Sequence, residues 1–509
     1  MTFCPMSAAR RSRMRRLTPG HLLVVGALVV VLCVIVRRGG DPDIFWHLAT
    51  GRWMVEHHQL VTHDLFTYTV AGKPWIDAEY ATEVVAYALF KVGGLTLVSL
   101  AFGAVIFVGF ILIWRRVRLE MATPVITAVV IGIAGLAGAA VWGPRPQMIT
   151  FTFTCLEVFW LDRYLRGRSR AIYSLPMVMV VWANLHGGFL FGLGLVAVGA
   201  FVEATHWARR IDGTIHKRRT RNLLLVFVGC CIAAGVNPHG FNLYSDVIQP
   251  QFSAEQQSFI AEWQSPNFHV LEERGLEVLL LLVPIAFVLR RPSLWDVCLT
   301  VVVTVAALTA VRHAALFVAA ETPLIIWSLS SGWERASPAR RVAAWMAPKS
   351  KVLLRGSAAL LIVAALGTAL FVRSTLADQT AATAANFPVG ASDWLAAHPN
   401  VGTRMFNQYA WGGYLIYRFY PEANRRVFSF GEATLLGRGL MQQMSDVETG
   451  QPDWQRTLAR YGVDYVIDVP SAPEVDALSV DPAWTKVYDD GLAVIVVKKS
   501  ALAGAATSG

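Results

Sequence analysis

The chain has 509 residues, 55% of them hydrophobic and 16% charged, with a mean hydropathy of +0.46. That composition excludes an ordinary water-soluble globular protein and fits a chain that crosses a bilayer many times. The formal net charge of +10 sits in short Lys/Arg clusters between apolar runs, the pattern of topology signals, so no nucleic-acid partner is expected.

Residues 1–20 form a basic N-terminus expected on the cytoplasmic side, with Arg10, Arg11, Arg13, Arg15 and Arg16 ahead of the first apolar run. A signal peptide begins in the same way, but no small-residue cleavage site follows Val36, so this segment reads as a retained helix. Crossing a bilayer takes about twenty apolar residues. Eleven candidates lie near 21–36, 94–114, 121–142, 147–162, 172–186, 189–207, 223–236, 275–289, 294–311, 313–330 and 357–373. Alternate gaps carry the cations: Arg115, Arg116 and Arg118; Arg163, Arg166, Arg168 and Arg170; Arg209 to Arg221; Arg290 and Arg291; then Arg335, Arg340, Arg341, Lys349, Lys351 and Arg355. This sorting places the N-terminus in the cytoplasm, with Arg37 and Arg38 as exceptions. Cys4 precedes the first run and the other five cysteines fall within predicted spans without CxxC or Cys/His spacing, so neither a disulfide framework nor a zinc site is indicated.

The opposite gaps hold a different chemistry. The first is the loop 38–92, and the later ones hold Gly143-Pro-Arg-Pro-Gln147, Trp182-Ala-Asn-Leu-His-Gly-Gly188, Asn237-Pro-His-Gly240, Glu262 to His269, and Arg312-His313. Clusters of His, Asn, Trp and Gly/Pro on one predicted face point to a constellation at an outward-facing mouth. From about residue 374 the hydropathy changes. Residues 374–500 read as a small extracytoplasmic α/β domain with strands at 404–406, 427–430, 465–469, 485–488 and 493–498, and 501–509 reads as a disordered tail.

Asp41-Pro42-Asp43 opens the loop with two carboxylates beside the end of a helix. Such a pair can bind a divalent cation, or one member can act as a general base, although acid-Pro-acid also occurs as turn punctuation. Phe45, Trp46, Leu48, Ala49, Trp53 and Met54 then fall at helical spacing, which suits a helix lying in the interface plane, and a second such helix is expected at 78–90 after Lys73-Pro74-Trp75. Arg145, flanked by Pro144 and Pro146, and Arg312 are fixed cations at the membrane surface that could meet an anionic group; the alternative for each is interfacial snorkelling. His186 with Asn184, His239 with Asn237, His313, and at lower rank His47 and His269, are candidate substrate contacts, as is Trp46. Glu321 lies inside a predicted span, where it needs a partner such as Arg312 or His313. Tyr409 and Trp411 can stack on a sugar, whereas Tyr414 and Tyr417 read as core.

An acidic pair opening the first outer loop, an interfacial helix, a Gly-x-Pro-Trp turn and a second interfacial helix resemble the first loop of GT-C membrane glycosyltransferases, such as the protein O-mannosyltransferases and the lipid A aminoarabinose transferase. More narrowly, DPDIFWHLATGRW, GPRPQ, WANLHGG, NPHG, EWQSPNFH, RH, FNQYAWGGYL and YGVDYVI resemble a bacterial family grouped with GT-C proteins. The resemblance implies a GT-C-like α-helical polytopic fold over residues 21–373, in the cytoplasmic (inner) membrane. It also implies transfer of a sugar from a polyprenyl-phosphate donor to a lipid, glycan or protein acceptor outside. By position, the catalytic acid is Asp43, with Asp41 beside it, and a divalent cation such as Mg2+ or Mn2+ on the pair is the possible cofactor. The protein O-mannosyltransferases have an Asp-Glu pair where this chain has Asp-Pro-Asp, which leaves open which acid acts and whether a metal is used. Two other readings stand beside this one: a transporter or lipid-carrier flippase, and a non-catalytic envelope-assembly scaffold.

Overall fold

The computed structural model describes residues 18–38, 40–251, 259–336 and 350–506. Cys4, the N-terminal arginines 10–16, Arg340, Arg341 and Lys349 lie outside them. The helices up to residue 377 are α1 (Pro19–Ile35), α2 (Pro42–His57), α3 (Tyr80–Val117), α4 (Pro124–Ala137), α5 (Gln147–Leu165), α6 (Leu175–Ala183), α7 (Phe189–Ala208), α8 (Gly213–Ala234), α9 (Asn242–Gln251), α10 (Arg274–Leu289), α11 (Leu294–Thr309), α12 (Ala314–Arg335) and α13 (Ser350–Ala377).

A helix occupies each of the eleven apolar stretches read from the sequence. By length and composition, four segments among the described residues are long and apolar enough to cross a membrane: Tyr80–Val117, Phe189–Ala208, Val311–Arg335 and Lys351–Ala377. Burial separates their roles. The apolar window of Val311–Arg335 is 89% buried and packs among α3, α4, α5, α10 and α11, whereas that of Lys351–Ala377 is 11% buried and presents Leu360, Val363, Leu366 and Leu370 outward. A stripe of that kind is stable only where its surroundings are apolar too.

The expected second interfacial helix is not separate. It is the first part of α3, which runs on past a break at Gly93 and Gly94, where Gly94 has φ +60°. A non-glycine residue pays for that left-handed backbone, so the Gly-Gly pair marks the bend. Arg37, which departed from the charge pattern, is a tie between helices: Nε donates to the Val34 carbonyl at 3.0 Å and Nη2 to the Ala139 carbonyl at 2.5 Å.

Beyond α13 the chain forms a four-stranded sheet in the order β1 (Met405–Asn407), β2 (Tyr465–Asp468), β4 (Val494–Lys498), β3 (Trp484–Asp489). β1 and β2 are parallel, and the other pairs antiparallel. The predicted strand at 427–430 is absent from this sheet. Val427 bridges Thr67 of the first loop instead, and Thr69 Oγ1 donates to the Phe428 carbonyl at 2.7 Å. Its apolar residues are buried, which gave the strand-like pattern, but their backbone partner is a segment remote in sequence. Of the expected disordered tail 501–509, residues 501–506 belong to a helix over Lys499–Ala506, a run rich in alanine, the strongest helix former, and 507–509 lie outside the described residues. Aromatic packing joins the sheet region to α2: Phe45 lies 4.9 Å from Phe387 and 5.2 Å from Tyr414, centroid to centroid, both edge-on. Tyr414 and Tyr417 are thus core residues, as the sequence suggested.

Candidate functional site

The site is built from the start of α2. Pro42 occupies the first helical turn, where its missing N–H costs nothing, and Asp41 is the N-cap: its Oδ1 accepts the Asp43 N–H at 3.0 Å. The Asp-Pro-Asp triplet is therefore a helix start that holds Asp43 in the first turn, where the N-terminal dipole favours a carboxylate. Asp43 Oδ1 accepts Trp46 Nε1–H at 3.1 Å. The other oxygen of Asp41 accepts from Arg145, whose guanidinium also pairs with Glu262.

Asp43 opens into a cavity of about 1010 Å³, which Arg145, Arg312, His47, His186, His313 and Trp46 also line. Seven of the sequence candidates thus converge on one space, from the first loop, the 143–147 turn, the 184–188 turn and the 312–313 turn. Asp41 does not line it. With Arg145 it forms part of the wall of a second cavity of about 990 Å³, which also meets Arg37, Arg38 and Arg274.

Like Asp41, the candidates Asn184, Asn237, His239 and His269 do not line the main cavity. Asn184 accepts from the Tyr80 hydroxyl and donates to the carbonyls of Val180 at 2.7 Å and Val236 at 2.8 Å, so it clamps α3, α6 and α8 together. Asn237 donates to the carbonyls of Ala234 at 2.7 Å and Gly240 at 3.0 Å, closing its own turn, and its Oδ1 accepts the His239 N–H at 2.8 Å. His239 belongs to that turn. Polar caps of tight turns carry the same residue types as binding sites, which is why sequence alone did not separate them. Trp411 is likewise core, its indole N–H given to the Asn386 carbonyl at 3.1 Å, whereas Tyr409 does line the cavity. Glu321 does not meet Arg312 or His313; it accepts from Thr300 Oγ1 at 3.0 Å.

The cavity also gathers carboxylates that the sequence did not single out: Asp77, Glu79, Asp246 and Glu432, beside Asp43 and Glu262. Burial, then Asp77 and Glu432, hold Glu79 well above the usual carboxylate range. Glu432 is pushed up to about 8 by burial and by Asp246 and Asp77, and Asp246 to about 6 by burial and Asp77. Burial lowers both His47 and His186 to about 3, so these imidazoles are neutral at pH 7. Glu79 orients both rings, 3.5 Å from His47 Nε2 and 3.2 Å from His186 Nε2, while Glu83 meets His47 Nδ1 at 2.8 Å and Thr150 meets His186 Nδ1 at 2.7 Å. Arg312 lies over the Trp263 ring, 4.4 Å from its centroid.

Glu432 and Tyr409 come from the C-terminal region, which also closes the cavity by two glycines. A Cβ on Gly431 would collide with Asp43 Oδ1 and stand 2.9 Å from Trp46 Nε1; one on Gly413 would stand 2.6 Å from the Pro42 carbonyl oxygen. The Ser429-Phe430-Gly431-Glu432 run followed a buried stretch with no metal or catalytic spacing, so nothing local marked it.

A divalent cation shared by Asp41 and Asp43 does not fit these residues. Both Asp41 oxygens are engaged, one by a backbone N–H and one by the Arg145 guanidinium, and a cation placed there would face that fixed positive charge.

No protein-family model and no curated protein match the chain. Among solved structures it is similar to ArnT from Cupriavidus metallidurans in the apo state, with 18% identity over 93% of this chain and 97% of that chain and a TM-score of 0.51. It is also similar to the oligosaccharyltransferase of Archaeoglobus fulgidus tethered to an acceptor peptide containing the NVT sequon, with 12% identity over 88% of this chain and 68% of that one and a TM-score of 0.56. The same archaeal protein, AglB, in complex with an inhibitory peptide and a dolichol-phosphate gives 12% identity over 88% and 69%, with a TM-score of 0.52. At such identities the likeness speaks for architecture alone: this chain shares the fold of these structures, which are GT-C glycosyltransferases.

Proposed function

We propose that the protein is an inverting membrane glycosyltransferase of the cytoplasmic membrane, moving a sugar from a polyprenyl-phosphate donor to an acceptor on the extracytoplasmic side. The observation that carries this reading is the meeting of the Asp43 carboxylate with Arg145 and Arg312 in one cavity of a GT-C fold. That AglB has been seen with a dolichol-phosphate and with an acceptor peptide supports a lipid-phosphate donor and an acceptor sharing such a space. Asp41, capped on Arg145, acts as a positioning residue.

In the proposed reaction Asp43 takes the proton of an acceptor hydroxyl as its oxygen bonds to the anomeric carbon. The bond from that carbon to the phosphate oxygen breaks on the opposite side, and its electron pair leaves with the lipid phosphate. Arg312 and Arg145 neutralise that oxygen, where fixed donors in a water-poor space stabilise developing charge most. Neutral His47 and His186, each held at both ring nitrogens, line the sugar's side of the cavity as fixed, uncharged walls. Asp43→Asn keeps the shape of the side chain and removes its basicity. Transfer in proteoliposomes should fall by about 10²–10⁴-fold at unchanged folded-protein yield. Wild-type rates from the variant would remove Asp43 from the mechanism.

A further inference from the structure

At the end of α7 opposite to the cavity lies a cluster that the reaction does not use. Glu203 and His206, three residues apart, share one face of α7. The turn at 209–212 brings α8 back alongside, and His216 of α8 faces them. One ligand atom from each of the three lies within 4.8 Å of the other two, among the described residues the one such group of three. Gly188 of the cavity wall and Glu203 are separated by about 22 Å along the α7 axis at 1.5 Å per residue, so this is a different site.

We infer that Glu203, His206 and His216 form a zinc site that clips the end of α7 to the start of α8. Two imidazoles and one carboxylate are a donor set that suits Zn2+, with water as the fourth ligand. Glu203 is 3% exposed, so its carboxylate is held in place beside the two imidazoles. His216 Nδ1–H donates to Glu203 Oε2 at 2.6 Å, so a proton lies between an imidazole nitrogen and a carboxylate oxygen that can both ligate a metal. On binding, the cation takes the place of that proton, which leaves to solvent. The two atoms then part to roughly 3.3 Å, as arms of about 2.0–2.2 Å at a tetrahedral centre require. His206 Nδ1 is buried and has no hydrogen-bond partner among the described residues, although its ring stands only 4.9 Å from that of His216. A buried, unpartnered imidazole nitrogen on a ring packed against a carboxylate–imidazole pair is the observation an ion explains and an ordinary ion pair does not. Arg219 Nη1 approaches the other Glu203 oxygen at 3.6 Å, which leaves Oε2 as the ligand and orients the carboxylate from behind.

The test uses the full-length protein in detergent, stripped with chelator and titrated with Zn2+ alone, with Co2+ as a spectroscopic probe. The wild type should bind an equivalent that His206→Ala lacks or holds at least about tenfold more weakly. The Co2+ spectrum should lose its intense tetrahedral visible bands in that variant. His206→Ala leaves the Glu203–His216 contact in place, so folding is preserved, and a monodisperse elution profile checks it. Zn2+ should also raise the Tm of the wild type and not that of the variant. Any cation held in the main cavity persists in both proteins and cancels from the difference. Equal Zn2+ stoichiometry, affinity and Co2+ spectra in the two proteins would overturn the assignment.

Discussion

Glu432 shows what burial among like charges does to a single side chain. Its carboxyl ionises at about 8 in the folded protein against 4.5 for the free group, with burial as the main cause. Between those two pH values the folded state holds a proton that the unfolded chain has released. Folding stability therefore falls as pH rises through that window on account of this group, the reverse of a salt-bridged acid. Glu432→Gln should flatten the fall in Tm between about pH 5 and pH 8, as read by thermal unfolding in detergent. An unchanged slope would place the titration elsewhere in the carboxylate group. Sequence reading found the cations and histidines of this cavity because they stand in turns of unusual composition. It missed Glu432, Asp246 and Glu79, whose neighbours are ordinary and whose meeting is purely tertiary.

Among elements, α12 is held by more than apolar packing. Arg116 of α3 is 1% exposed; its Nε donates to Asp162 of α5 at 2.6 Å and its Nη1 to the Ala320 carbonyl of α12 at 2.5 Å. Trp295 of α11 donates to the other Asp162 oxygen at 2.7 Å. One ion pair thus joins four helices. Arg116→Met leaves a buried carboxylate with one indole N–H and should cost about 3–5 kcal/mol, since an unpaired buried charge is the expensive outcome. Adding Asp162→Asn should recover part of that loss in the same thermal measurement; no recovery would mean that Arg116 acts through packing alone. The sequence assigned Arg116 to a topology cluster with Arg115 and Arg118. That reading is blind to the one member that turns inward, because charge sorting records where cations lie along the chain and not which way a helix is rotated.

At the scale of the whole molecule, the helices were legible and the joins between distant parts were not. Long apolar runs and positive clusters report local physics, so each predicted stretch is a helix. The role of 427–432 depends on contacts with the first loop, to which no local pattern points. Gly431 makes this testable: with Ala there, Asp43 Oδ1 must move aside. A displacement near 1 Å should lower transfer by about 10²-fold while the helices remain assembled. Undiminished transfer would show that the carboxylate tolerates a wider setting. The closure of the cavity by Gly413, Gly431 and Glu432 has a further consequence for how the molecule comes into being. Synthesis proceeds from the N-terminus and domains fold as they emerge, so Asp43 is in place long before the wall that encloses it. Until residues 409–434 emerge, a nascent chain that carries every helix through α13 lacks the wall that encloses Asp43. The cavity would then be completed in one late event, the docking of residues 409–434 against the first loop, because its last wall follows every one of these helices in the sequence.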